Sequence, residues 1–166
     1  MSLLLAAVGA TAAALLELTV GPHLRVGDAS PHLVLVLGVV WTVAAGIDDG
    51  LAWAFVGGLV LDVLAQRPVG STAFALLIAL GSAAFVGRAL SRLRPIAPIA
   101  ATLPVSLLYS VILFMLFGAL GTEVPGTDLG MRLVPGAVYD TVLAAAIGPL
   151  AIAVHDRYTD VERVDW

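Results

Sequence analysis

The chain has 166 residues, of which 60 % are apolar and 12 % charged, with no cysteine and a formal net charge of −4. A soluble domain carries about a quarter charged residues, so this composition, with its mean hydropathy of +1.04, excludes an ordinary cytosolic enzyme, a disordered chain and a nucleic-acid binder, and points to a polytopic membrane protein. Without cysteine there is no disulfide, thiolate catalyst or Cys-held metal, and without lysine there is no Gly-rich phosphate loop ending in Lys.

A helix needs about 20 mainly apolar residues to cross the hydrocarbon core, and six such segments are predicted. The first runs from Ser2 to Val20 and carries one acid, Glu17; Pro22 closes it, and residues 21–30 form a polar loop. No Lys or Arg precedes its apolar stretch, so it reads as a span rather than a cleaved signal peptide. The second runs from Pro31 to Ile47, with Pro31 in the favoured first-turn position, and Asp48 and Asp49 make a tight turn. The third, from Gly50 to about Ala65, carries Asp62. It is short enough for a re-entrant hairpin, but Asp48/Asp49 at one flank and Arg67 at the other fit a full span better. The fourth runs from Ser71 to Leu90 and is uncharged until Arg88. A basic turn follows at residues 91–95. The fifth lies within Ile96 to Leu120, with Pro104 as a predicted kink. The longest loop covers residues 121–130, and the sixth span runs from about Leu133 to Val154 around Asp140.

Six spans put both termini on one side, together with Arg88, Arg92, Arg94, Arg157 and Arg163. The other side holds Arg25, Arg67 and Arg132. The excess of arginine places both termini in the cytoplasm. The domain reading is a single six-helix transmembrane unit over residues 1–155 and a polar tail over residues 156–166.

Helices in lipid associate through small residues that let backbones approach. Small residues recur at every fourth position: Ala6, Ala10 and Ala14; Gly50, Ala54 and Gly58; Ala75, Ala79, Ala83 and Gly87; and Gly136, Ala144 and Gly148, with Asp140 completing the last series. Packing within the bundle accounts for most of these stripes; one could instead receive a partner's helix. An acid at mid-bilayer costs at least about 2.5–3.5 kcal/mol and therefore faces protein or water. Glu17, Asp62 and Asp140 each lie on a small-residue face, pointing into the bundle. At about 1.5 Å per residue, all three fall in the non-cytoplasmic half of the bilayer, where each loop offers one arginine. Glu17, Asp62, Asp140, Arg25, Arg67 and Arg132 are thus the candidate polar cluster. Its readings are register-fixing pairs, a proton or cation relay, and a docking site. The second, fourth and fifth apolar stretches carry no ionisable group to continue a relay, which favours structure or docking.

A faint echo links Gly58-Leu-Val60-Leu-Asp62 with Gly136-Ala-Val138-Tyr-Asp140, in helices of opposite direction, the geometry of an inverted repeat. His23, His32 and His155 lack metal-ligand spacing and read as interfacial residues. The helical serines, Ser106 among them, read as bonding to backbone carbonyls. Trp41, Trp53 and Trp166 read as anchors or packing residues. No catalytic constellation, metal site or cofactor site is expected.

The stretch from Pro31 to Gly70 carries Pro31-His32, an apolar span, Gly46-Ile-Asp48-Asp49-Gly50, Gly57-Gly58-Leu-Val-Leu-Asp62 and Pro68-Val-Gly70. In this order of Pro, Gly, Asp and Gly the chain resembles the bacterial rod shape-determining protein family MreD, clearly over Pro31 to Arg88 and elsewhere by length and hydropathy. The resemblance implies a non-enzymatic scaffold of the cell-elongation and peptidoglycan-synthesis machinery in the bacterial inner membrane. Its implied partners are MreC above all, with MreB, RodA and penicillin-binding protein 2 in the same complex. It also implies an all-α bundle similar to the S components of energy-coupling factor transporters. Gly58 and Gly70 join the candidate partner interface, Gly58 by shaping the third helix and Gly70 by permitting the turn into the fourth. The alternative function is a vitamin- or metabolite-binding S component, for which Ala6, Ala10 and Ala14 would be the face that docks a coupling subunit.

Overall fold

The structure, a computed structural model, describes residues 2–25, 30–89, 97–121 and 129–161, with side chains placed over 3–25, 30–89, 98–121 and 133–149. Among the described residues it contains no strand. Six α-helices follow one another: α1 Ser2–Thr19, α2 Leu33–Ala45, α3 Ile47–Leu64, α4 Ser71–Ala89, α5 Ala97–Ala119 and α6 Leu129–Val161. A 3-10 turn, Gly21–Leu24, follows α1 with Pro22 in its first residues. Of the arginines named above, Arg92, Arg94 and Arg163 lie outside the described residues, as do the side chains of Arg132 and Arg157.

Two helices are long and apolar enough to cross a membrane, Ser71–Ala89 and Pro98–Ala119. Leu3–Thr19, Leu33–Ala45 and Leu133–Pro149 are shorter apolar stretches. The exterior is apolar as well: Leu4, Val8, Val63, Phe85 and Met115 are all more than half exposed. Large side chains of this kind on the outside and alanines within reverse the usual soluble pattern and suit a lipid surround.

Helix α2 is the hub and packs against each of the other five. Around it run the neighbouring pairs α1/α3, α3/α4, α4/α5 and α5/α6. The core is built mainly of Ala, Val and Leu, with Trp53 and Tyr109 as its large aromatic members. The small-residue stripes point into this core. Ala6, Ala10, Ala14, Ala54, Ala75, Ala79, Ala83 and Ala144 are fully buried. Glycine is needed where helices touch most closely. A Cβ on Gly58 would run into the Cα and N of Ala73 in α4, and one on Gly50 would run into the Thr42 side chain of α2. Gly9 and Gly38 leave room for the Trp53 indole.

Two expectations change. The turn between α2 and α3 is made by Gly46, with a left-handed φ of +107°, rather than by Asp48 and Asp49. The two aspartates sit in the first turn of α3, where a negative charge meets the positive end of the helix dipole. The third segment, read as one span in preference to a hairpin, is one continuous helix of 18 residues. Finally, α6 is helical from Leu129 through Val161 with Pro135 and Pro149 inside it, so the backbone of residues 156–161, expected as tail, continues the helix.

Candidate functional site: three acids that cap helix starts

Every helix leaves its first N–H groups without intrahelical partners. In lipid such a deficit is costly, because no water reaches it. The three acids answer it. Asp62, near the end of α3, reaches across the turn to the start of α4. Its carboxylate accepts from the Gly70 N–H at 2.8 Å, from the Thr72 N–H at 3.1 Å and from the Ser71 hydroxyl at 3.3 Å. Gly70 adopts φ +94°, which brings the chain round the carboxylate; this is the turn for which the sequence nominated it.

Asp140, from α6, does the same for the start of α2. One carboxylate oxygen accepts from the His32 N–H at 2.9 Å. The other accepts from the His32 Nδ1–H at 2.9 Å and from the Ser106 hydroxyl of α5. Glu17, from α1, accepts from the Val34 N–H at 2.8 Å, two residues along the same helix start. The first turn of α2 is therefore clamped by carboxylates from two different helices. Asp62 and Asp140 are fully buried, and Glu17 is half-buried.

Tyr109 of α5 completes this end of the bundle. Its ring meets the His32 imidazole edge-on, with centroids 5.4 Å apart, and it lies in the field of Glu17, Arg67, Asp140 and Asp62. On the rim, the Tyr139 hydroxyl donates to the Leu24 carbonyl. Ser106 donates to the carboxylate and not to the imidazole, so Ser106, His32 and Asp140 are not wired as nucleophile, base and orienting acid. Among the described residues, no group of three or more His, Asp or Glu side chains is arranged to hold a metal ion.

Glu17, Asp62 and Asp140 therefore gather at one end, but among the described residues neither Arg25 nor Arg67 pairs with them by contact. Among the described residues the ion pair at this end is His32–Asp140. Arg67 is half-buried at the α3–α4 turn and Arg25 is exposed; the side chain of Arg132 lies outside the described residues. Gly58 is taken up by packing on Ala73 and offers no open surface to a partner. Ala6, Ala10 and Ala14 are closed off inside the bundle, with Ala10 beside Gly57 of α3, so the face that an S component would use for docking is not available.

Sequence reasoning missed His32 and Ser106 as partners of Asp140. The signal for His32 was present, since Pro31-His32 opens α2 at the depth assigned to Asp140. Ser106 bears no such mark among several helical serines.

Comparison with known families decides the assignment. The family model described as rod shape-determining protein MreD matches residues 2–124. The chain belongs to the MreD family. That match takes in α1 to α5, and with them Glu17, His32, Asp62 and Ser106. MreD proteins are bacterial membrane proteins of rod-shape determination, which agrees with the apolar exterior. No curated protein and no solved structure matches the chain.

Proposed function

We propose that this MreD protein is a non-enzymatic scaffold of the bacterial cell-elongation complex, spanning the inner membrane six times with both termini in the cytoplasm and residues 1–155 acting as one transmembrane unit. The observation that carries the reading is the family match over residues 2–124. The architecture supports it. The acids are engaged with helix starts, which gives a rigid end with hydrogen-bonded corners rather than a chain of carriers across the bilayer. Among the described residues at that end, Arg25 and Arg67 are charged groups not held in the capping bonds, and they suit a partner's acidic or carbonyl-rich segment next to the membrane.

MreC is the partner proposed for this end, with MreB, RodA and penicillin-binding protein 2 joining the same complex. The test is co-purification of tagged MreC with the full chain from membranes. Arg25→Glu combined with Arg67→Glu should lower MreC recovery at least several-fold while the protein itself stays monodisperse. Undiminished recovery would remove this end as the docking site. Gly58→Leu is unsuitable for the purpose, because it breaks α3–α4 packing before any partner is involved.

A further inference from the structure

A groove of about 380 Å³ runs between the α3–α4 turn and the end of α5. Pro68, Val69 and Gly70 of the turn form one side with Phe74 of α4, and Leu116 and Leu120 of α5 form the other. Val69, Phe74 and Leu120 are each more than half exposed, so the groove opens on the apolar exterior. The Gly70 N–H and the Ser71 hydroxyl are already given to Asp62, and the start of α4 is therefore not free to hold an anion. Arg67 is. It stands immediately before Pro68, half-buried and in no ion pair among the described residues. A groove of similar size, about 400 Å³, lies on α1 and is lined by Ala7, Val8, Thr11, Ala12 and Leu15. Helix α1 carries no basic residue.

We propose that the groove beside Arg67 is a site for an anionic phospholipid, with an acyl chain along Phe74, Leu116 and Leu120 and the phosphate paired with the Arg67 guanidinium. Size selects the tail. A single turn of a partner's helix, about 10 Å across and 5.4 Å long, fills about 420 Å³, more than the groove holds. An acyl chain is one carbon thick and lies within it. Charge selects the head. A guanidinium pairs with phosphate through two parallel N–H bonds, and basic sites between membrane helices hold anionic headgroups. A zwitterionic lipid brings no net charge to Arg67, and the α1 groove offers no cation to either kind. The inference rests on the placement of the chain in a membrane and not on the choice of MreC as partner.

The chain has no cysteine, so Val69→Cys and Val8→Cys each give one labelling position, one per groove, for a bimane fluorophore. The full chain is placed in phosphatidylcholine nanodiscs, one copy per disc. A rising fraction of brominated phosphatidylglycerol or, in a second series, brominated phosphatidylcholine serves as quencher. At Val69→Cys, half-maximal quenching should need a several-fold lower fraction of the glycerol lipid than of the choline lipid. At Val8→Cys the two curves should coincide. Adding Arg67→Gln to Val69→Cys should bring its two curves together, and adding Arg25→Gln should leave them apart. Coinciding curves at Val69→Cys, an equal preference at Val8→Cys, or a preference that survives Arg67→Gln would overturn the proposal. So would quenching at Val69→Cys that disappears when two copies share a disc, which would give the groove to a second copy of the chain. Absence of quenching at both labels would remove the membrane placement as well; quenching at Val8→Cys leaves that placement standing whatever happens at Val69→Cys. If Arg67→Gln does not fold, competition decides: unbrominated phosphatidylglycerol should restore the Val69→Cys emission and unbrominated phosphatidylcholine should not, and equal restoration by both would overturn the site.

Discussion

The two ends of the bundle are held by different physics. At the end carrying Glu17, Asp62 and Asp140, helices are joined through directional hydrogen bonds from carboxylates to backbone N–H groups. From the middle to the opposite end they are joined by shape, as Gly38 accommodates Trp53 and Leu80, Gly50 fits against Thr42, Gly87 meets Val43 and Gly148 meets Pro98. The lesson is that lipid burial leaves two ways to bring helices together. Removing side chains brings backbones close, and supplying an acceptor satisfies a helix start that the chain cannot satisfy locally.

The comparison can be broken most severely where close packing runs up to the capped end, one helical turn from Asp62. Gly58→Leu should abolish recovery of folded protein, since its side chain meets Ala73 backbone rather than a yielding side-chain tip. The cost exceeds the about 1–3 kcal/mol usual for overpacking, and size-exclusion profiles in detergent will show it as aggregate. Next comes the capped side. Asp62→Ala leaves the Gly70 and Thr72 N–H groups and the Ser71 hydroxyl short of their acceptor, at about 1–3 kcal/mol for each buried group left unsatisfied. Asp62→Asn retains one acceptor oxygen and should fall between wild type and Ala in thermal melting. If Ala and Asn melt alike, capping is not what Asp62 contributes.

A double-mutant cycle on His32→Asn and Asp140→Asn sharpens the picture further. Groups in direct contact couple by about 0.5–3 kcal/mol, so the double variant should be less destabilised than the sum of the singles. Strict additivity would show that the pair is not coupled. Trp53→Phe keeps most of the packing and loses the bond to the Val34 carbonyl, for about 0.5–1.5 kcal/mol. The smallest effect belongs to the exterior. Phe85 is 76 % exposed, and Phe85→Leu should move stability by less than about 0.5 kcal/mol.

Much of this was readable from residue order. The charge-free runs marked the helices, and fourfold spacing of Ala and Gly marked the faces that now lie inside. The acids had to be on those faces because lipid tolerates them nowhere else. The partner each acid finds was not readable. A loop arginine and an uncapped helix start are both available at the same depth, and spacing does not choose between them; only the three-dimensional path of α2 and α4 brings their first amides to Asp140, Glu17 and Asp62. The α2–α3 turn was misplaced for a related reason. Asp-Asp reads as polar loop, yet it equally suits the first turn of a helix, and the glycine before it takes the bend. The continuation of α6 beyond residue 155 was hidden by its rising charge, which ends an apolar run without ending a helix.

The clamp on α2 also orders events during synthesis. Helix α2 emerges from the ribosome early, but the carboxylate that receives the His32 amide stands 108 residues later in the chain. Until α6 has been made and packed against it, the innermost helix waits with its leading edge unfinished. A nascent chain halted after α5 would hold five helices and a hub still searching for its last ligand.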